Sequence, residues 1–83
     1  MTKKAEIAAE VREYLSRHPL DDNPIRVLQH QIWRDNGWWR VPVQPEQPVD
    51  RISPYYDVLA RVEEDLDRER GLNILLVPTL PDE

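Results

Sequence analysis

Eighty-three residues hold one domain, near the lower size at which a single hydrophobic core stands without a disulfide, a metal or a second subunit. The absence of cysteine excludes disulfides and thiolate metal sites, and 40% apolar with 33% charged residues excludes a disordered polar chain. The net charge of −5 is uneven: residues 26–43 carry three arginines against one carboxylate, whereas residues 44–83 carry four arginines against ten carboxylates, a field that opposes nucleic acid as the main partner.

The first predicted element is a helix over 3–18. Ile7, Val11, Tyr14 and Leu15 recur on one helical face, Thr2 can cap the start, and Glu13 is placed to pair with Arg17. Pro19 disfavours helical geometry at His18 and should end it. The lysines of the opening segment are followed by no apolar run, so no secretory signal is expected and the cytoplasm is the expected location.

A second helix is expected over 24–35. Asn23 can serve as N-cap, Pro24 suits the first helical position, Gly37 suits the stop, and Ile25, Leu28 and Ile32 form a short stripe. The same stretch supports an alternative, because Asn36-Gly37 is the strongest two-residue hairpin signal. A hairpin there would set Arg34 opposite Trp39 and Trp33 opposite Arg40, two cation–π pairings.

A strand over 38–43 follows. Pro42 lacks an N–H and should keep it at a sheet edge or stop it early. Pro42, Pro45 and Pro48 then recur every third residue, so 44–53 is expected as a stiff polyproline-like connector. The next helix, 54–70, has Ser53 as candidate N-cap, Pro54 at its start, Tyr55, Leu59, Val62 and Leu66 as its stripe, and Gly71 as its stop. The charged run 61–70 reads as its solvated face. The apolar run 73–77 reads as a strand buried on both sides, far too short to span a membrane.

The expected fold is a small single α+β domain in the order α-α-β-α-β, with a short two-stranded sheet packed on helices. Pairing of edges across a two-fold would extend that sheet to four strands, and a homodimer is the expected assembly. The strands around helix 54–70 make a parallel β-α-β unit the economical reading, with antiparallel pairing left open.

Function has one concentrated signal. Trp33, Trp38 and Trp39 lie among Arg34 and Arg40, and an aromatic-basic cluster in an acidic chain has the composition of a protein–protein hot spot. In a strand Trp38 and Trp39 point to opposite faces, so one should join the core and the other stay partly exposed. The expectation is a non-catalytic interaction or regulatory module that uses Trp33, Arg34, Trp38, Trp39 and Arg40 to bind another protein. The alternative is stacking of single-stranded nucleic acid on the Trp/Arg segment 26–40. His18 and His30 are not spaced as a metal-ligand pair, and the two glycines form no phosphate loop. Carboxylate pairs such as Asp21/Asp22 or Glu63/Asp67 occur in any acidic chain. No cofactor, metal, membrane association or enzymatic activity is expected.

Overall fold

The computed structural model describes residues 3–18, 20 and 23–81. Thr2, Pro19, Asp21 and Asp22 lie outside them. The elements in chain order are α1 (Lys3–Ser16), β1 (Ile25–Val27), a 3₁₀ turn (Gln29–Gln31), β2 (Trp33–Asp35), β3 (Trp38–Pro45), α2 (Ile52–Arg70) and β4 (Ile74–Pro78). One layer is a four-stranded sheet and the other is the pair of helices. This is the α+β class expected, with one helix fewer and two strands more.

The predicted stripe of α1 is buried in full: Ile7, Val11, Tyr14 and Leu15 all enter the core, with Ala8 between them where a larger side chain would hold the neighbour off. The helix stops two residues early. Arg17 N–H donates to Tyr14 O and His18 N–H to Leu15 O, a tightened last turn, while Arg17 holds Glu13 at 2.7 Å as expected. The two helices are clamped where α1 passes the end of α2. Tyr14 Oη donates to Glu69 (3.0 Å) and accepts from Arg70 Nε (3.2 Å), and the Arg17 guanidinium lies over the Tyr14 ring. Nearby, His18 meets Asp65 at 2.9 Å, and that contact, with Arg68 beside it, holds the Asp65 carboxyl below the ordinary carboxylate range.

The expected helix over 24–35 is not formed. Its residues make β1 and β2, both antiparallel to β3, with the 3₁₀ turn between them. The supposed helix punctuation has other uses here. Asn23 brackets the backbone of Gln47, donating to its O (2.7 Å) and accepting from its N–H (2.9 Å), as a neighbouring strand would. Asn36 and Gly37 both take positive φ, 54° and 82°, the geometry of the two-residue hairpin turn. Three apolar residues were too few to favour a helix over a hairpin that buries Val27 and Ile32 in the common core.

β3 is central, not an edge. It pairs antiparallel with β1 and β2 on one side and parallel with β4 on the other, in the register Trp39↔Ile74 to Val43↔Pro78. Pro42 is accommodated because the strand opposite it is broken. Five residues, 28–32, stand against two, Val41 and Pro42, between the paired segments. β3 also extends to Pro45, which shortens the expected connector to residues 46–51. The β3-α2-β4 unit is the parallel one that the sequence made economical.

α2 begins at Ile52 with no side-chain cap, so Ser53 is not the N-cap, and Pro54 sits inside the first turn where its missing N–H costs nothing. Its stripe Tyr55, Leu59, Val62 and Leu66 is buried as expected. Gly71, at φ 65°, turns the chain left-handed and donates to Asp67 O; Leu72 N–H reaches Leu66 O and the side chain packs on the core. The buried Tyr55 hydroxyl is 2.9 Å from Thr79 O and 3.2 Å from Val43 O, tying the start of α2 to the ends of β3 and β4. Burial pushes its pKa up to about 12.

The core lies wholly between the helices and one face of the sheet, which contributes Val27, Val41, Val43, Ile74 and Leu76. The other face has no layer over it. β4 is therefore not buried on both sides: Ile74 and Leu76 point in, while Leu75 is 37% exposed. Among the described residues no helix is long and apolar enough to cross a membrane.

Candidate functional site

The side chains of a strand alternate between faces, and cross-strand partners share one. Trp39 lies in line with Val41 and Val43 on the helix side. Trp38 and Arg40 therefore stand on the open side. The register Trp33↔Arg40 and Asp35↔Trp38 places Trp33 and Asp35 with them, and Arg40↔Leu75 and Pro42↔Val77 add an aliphatic border from β4. The open side thus presents Trp33, 43% exposed, and Trp38, 46% exposed, around the Arg40–Asp35 ion pair at 3.3 Å. Further along, Arg26 Nη2 donates to Gln44 at 2.9 Å on the same face.

The five residues singled out in the sequence are consequently divided. Trp33, Trp38 and Arg40 come together on the open face. Trp39 packs against the core, and Arg34 lies over the Trp39 ring at 5.4 Å on the opposite side of the hairpin. Of the two cation–π pairings foreseen for a hairpin, Arg34 with Trp39 is made, whereas Arg40 turns to Asp35. A surface guanidinium gains little from either arrangement, and the carboxylate diagonally opposite is the stronger attraction.

Asp35, Leu75 and Val77 belong to this face and were not foreseen. The signal for Asp35 was its place beside the Asn-Gly turn, which fixes it opposite Trp38. Leu75 and Val77 carried no such signal, because an uninterrupted apolar run hides which of its residues face inward.

The outer edge of β4 is closed. Leu76 N–H, directed away from β3, donates to Glu63 Oε2 at 2.7 Å, so a carboxylate from α2 occupies the place of a neighbouring strand's carbonyl. Pro78 has no N–H, and Ile74 and Leu76 are only 3% and 4% exposed. Burial pushes the Glu63 carboxyl above the ordinary carboxylate range, and the Leu76 N–H offsets part of that rise. Glu63 is thus an exception to the solvated face expected of residues 61–70.

Among the described residues no group of three histidine or carboxylate side chains is gathered as a metal site requires. The hollows are open surface grooves. One of about 550 Å³ runs beside Trp38, Leu75 and the carboxylates of α2, and one of about 380 Å³ lies between Leu20, Pro48 and Pro54. No protein-family model, curated protein or solved structure matches the chain.

Proposed function

We propose that the protein is a non-catalytic, cytosolic interaction module whose open sheet face docks another protein. The observation that carries this reading is the pair of indoles, each more than two-fifths exposed, standing on one face beside a single ion pair. Exposed tryptophan beside arginine is the composition of a binding hot spot, and here a rigid two-sided hairpin holds both indoles in place. The aliphatic border from β4 supplies the apolar surround that excludes water from such an anchor.

Single-stranded nucleic acid draws less support. Arg40 is neutralised by Asp35, Arg34 and Trp39 are turned to the other side, and α2 carries six carboxylates against three arginines.

A photo-crosslinking amino acid placed at Trp33 or Trp38 tests the reading in cells. Protein adducts should form from those positions and be scarce from Arg61 on the exposed side of α2. The Trp33→Ala/Trp38→Ala variant should fold with nearly the wild-type melting temperature. Equal adduct yields from all three positions, or collapse of the double variant, would sink the reading.

A further inference from the structure

We infer that the occupant of the open face is a second copy of this chain, the two sheets stacking face to face across a two-fold so that the helices lie outermost. This rests on the docking role of the Trp33/Trp38 face and names its partner.

Four observations converge on that arrangement. First, edge-to-edge pairing, the route the sequence suggested, is disfavoured. The β4 edge is closed by Glu63 and Pro78, and the opposite edge is broken into two three-residue pieces by the 3₁₀ turn. What the sheet leaves open is its face.

Second, charge opposes contact between copies less on this side than through the helices. The face carries Arg26, Arg40 and Asp35, so it holds both signs of charge and a slight positive excess. The excess negative charge of α2 lies in the other layer. Stacking the open faces keeps the two acidic helices apart, whereas contact through the helices would oppose like charges.

Third, an isologous contact requires a self-complementary patch, because each residue meets its own symmetry-related surface. Arg40 and Asp35 can exchange across a two-fold, with the indoles and Leu75 of each copy filling the space beside them.

Fourth, the size sets the strength. The sheet is three strands wide, with β1 and β2 sharing one side of β3, and β3 is eight residues long, so at about 4.8 Å per strand and about 3.3 Å per residue the open face covers about 380 Å². That is about half the roughly 800 Å² per partner of an ordinary stable interface, so the dimer should be weak and fill only toward the upper end of the concentration range. A domain with so small a core also stands to gain most from a shared one.

Sedimentation equilibrium from micromolar to hundreds of micromolar, with iodide quenching of tryptophan on the same samples, tests this. A monomer–dimer equilibrium is expected, with quenching falling as the dimer fills. Trp38→Glu should weaken the dimer at least about tenfold, as loss of a central aromatic anchor does. Leu75→Lys, a second face position independent of the hairpin, should weaken it as well. Arg61→Glu, an exposed position of α2 outside the groove beside Trp38, should leave it intact, and far-UV circular dichroism confirms that each variant is folded.

If Trp38→Glu unfolds, Leu75→Lys alone decides. A wild-type chain that stays monomeric with quenchable indoles throughout overturns the inference while leaving the face free for a different protein. A dimer indifferent to a folded face variant overturns it too. Failure of the crosslinking test, by contrast, removes the docking face itself.

Discussion

Replacing Tyr55 with phenylalanine removes one oxygen from the junction where α2, β3 and β4 meet. The ring is wholly buried and stays filled by the new residue, so no cavity opens. The carbonyls it serves fare differently. Val43 O keeps Thr79 N–H at 2.9 Å and Thr79 Oγ1 at 2.7 Å, whereas Thr79 O loses the Tyr55 hydroxyl. One hydrogen bond to a partly buried acceptor is worth about 1–1.5 kcal/mol, so Tyr55→Phe should lower the melting temperature by about 4–12 °C in a domain of this size. Urea denaturation followed by tryptophan fluorescence should give a lower midpoint with an unchanged slope.

The sign of the pH dependence is also fixed. The folded-state pKa of about 12 lies above the ordinary tyrosine value of 10.0, so the stability supplied by the neutral hydroxyl is complete below pH 10.0. It is lost as pH rises toward 12. The wild-type advantage over Tyr55→Phe should therefore shrink across that window. A variant as stable as wild type at neutral pH, or a difference that widens in alkali, would show that the hydroxyl is not bonded as described.

Glu63→Gln keeps an acceptor for Leu76 N–H but cannot ionise. Because burial raises the Glu63 pKa in the folded state, the stability of the protonated form is present in acid and lost as pH rises through that pKa. The variant should melt with wild type at about pH 4 and above it at about pH 8; a constant difference at both would contradict the burial argument. Gly71→Ala meets no atom within 4 Å, so its cost is conformational only. It should be about 1 kcal/mol for forcing an L-residue to positive φ, measured by urea melts, and an unchanged midpoint would mean the stop is not left-handed.

Both long helices were legible because each had a periodic apolar stripe with a stop signal near its end. β3 and β4 were legible as strands because each is a short apolar stretch next to a glycine turn or stop, although neither the central place of β3 nor the one-sided burial of β4 could be read from it. Segment 24–35 was not, since Asn23, Pro24, Asn36 and Gly37 serve a helix or a hairpin equally well. Only the pairing of β1 with the distant Val43–Pro45 stretch separates the two, and the local pattern does not contain that information. The open face was half legible. Clustering drew attention to Trp33, Trp38 and Arg40, and strand alternation foretold that Trp38 and Trp39 would part. Misreading the segment before the turn concealed that Trp33 sides with Trp38, while Leu75 and Val77 looked like core until a one-sided sheet was in view.

Between Val27 and Trp33 the chain holds five residues where β3 holds two. In an unbroken pleat, positions 27 and 33 would share a face. The odd surplus instead sends Val27 inward and leaves Trp33 outside. Because the Asn36-Gly37 turn fixes Trp33 opposite Arg40, removing or adding one residue in 28–32 would leave Trp33 outside and put β1 out of step instead. The length of that stretch therefore decides whether Val27 reaches the core, while the turn decides that both indoles share the outer face.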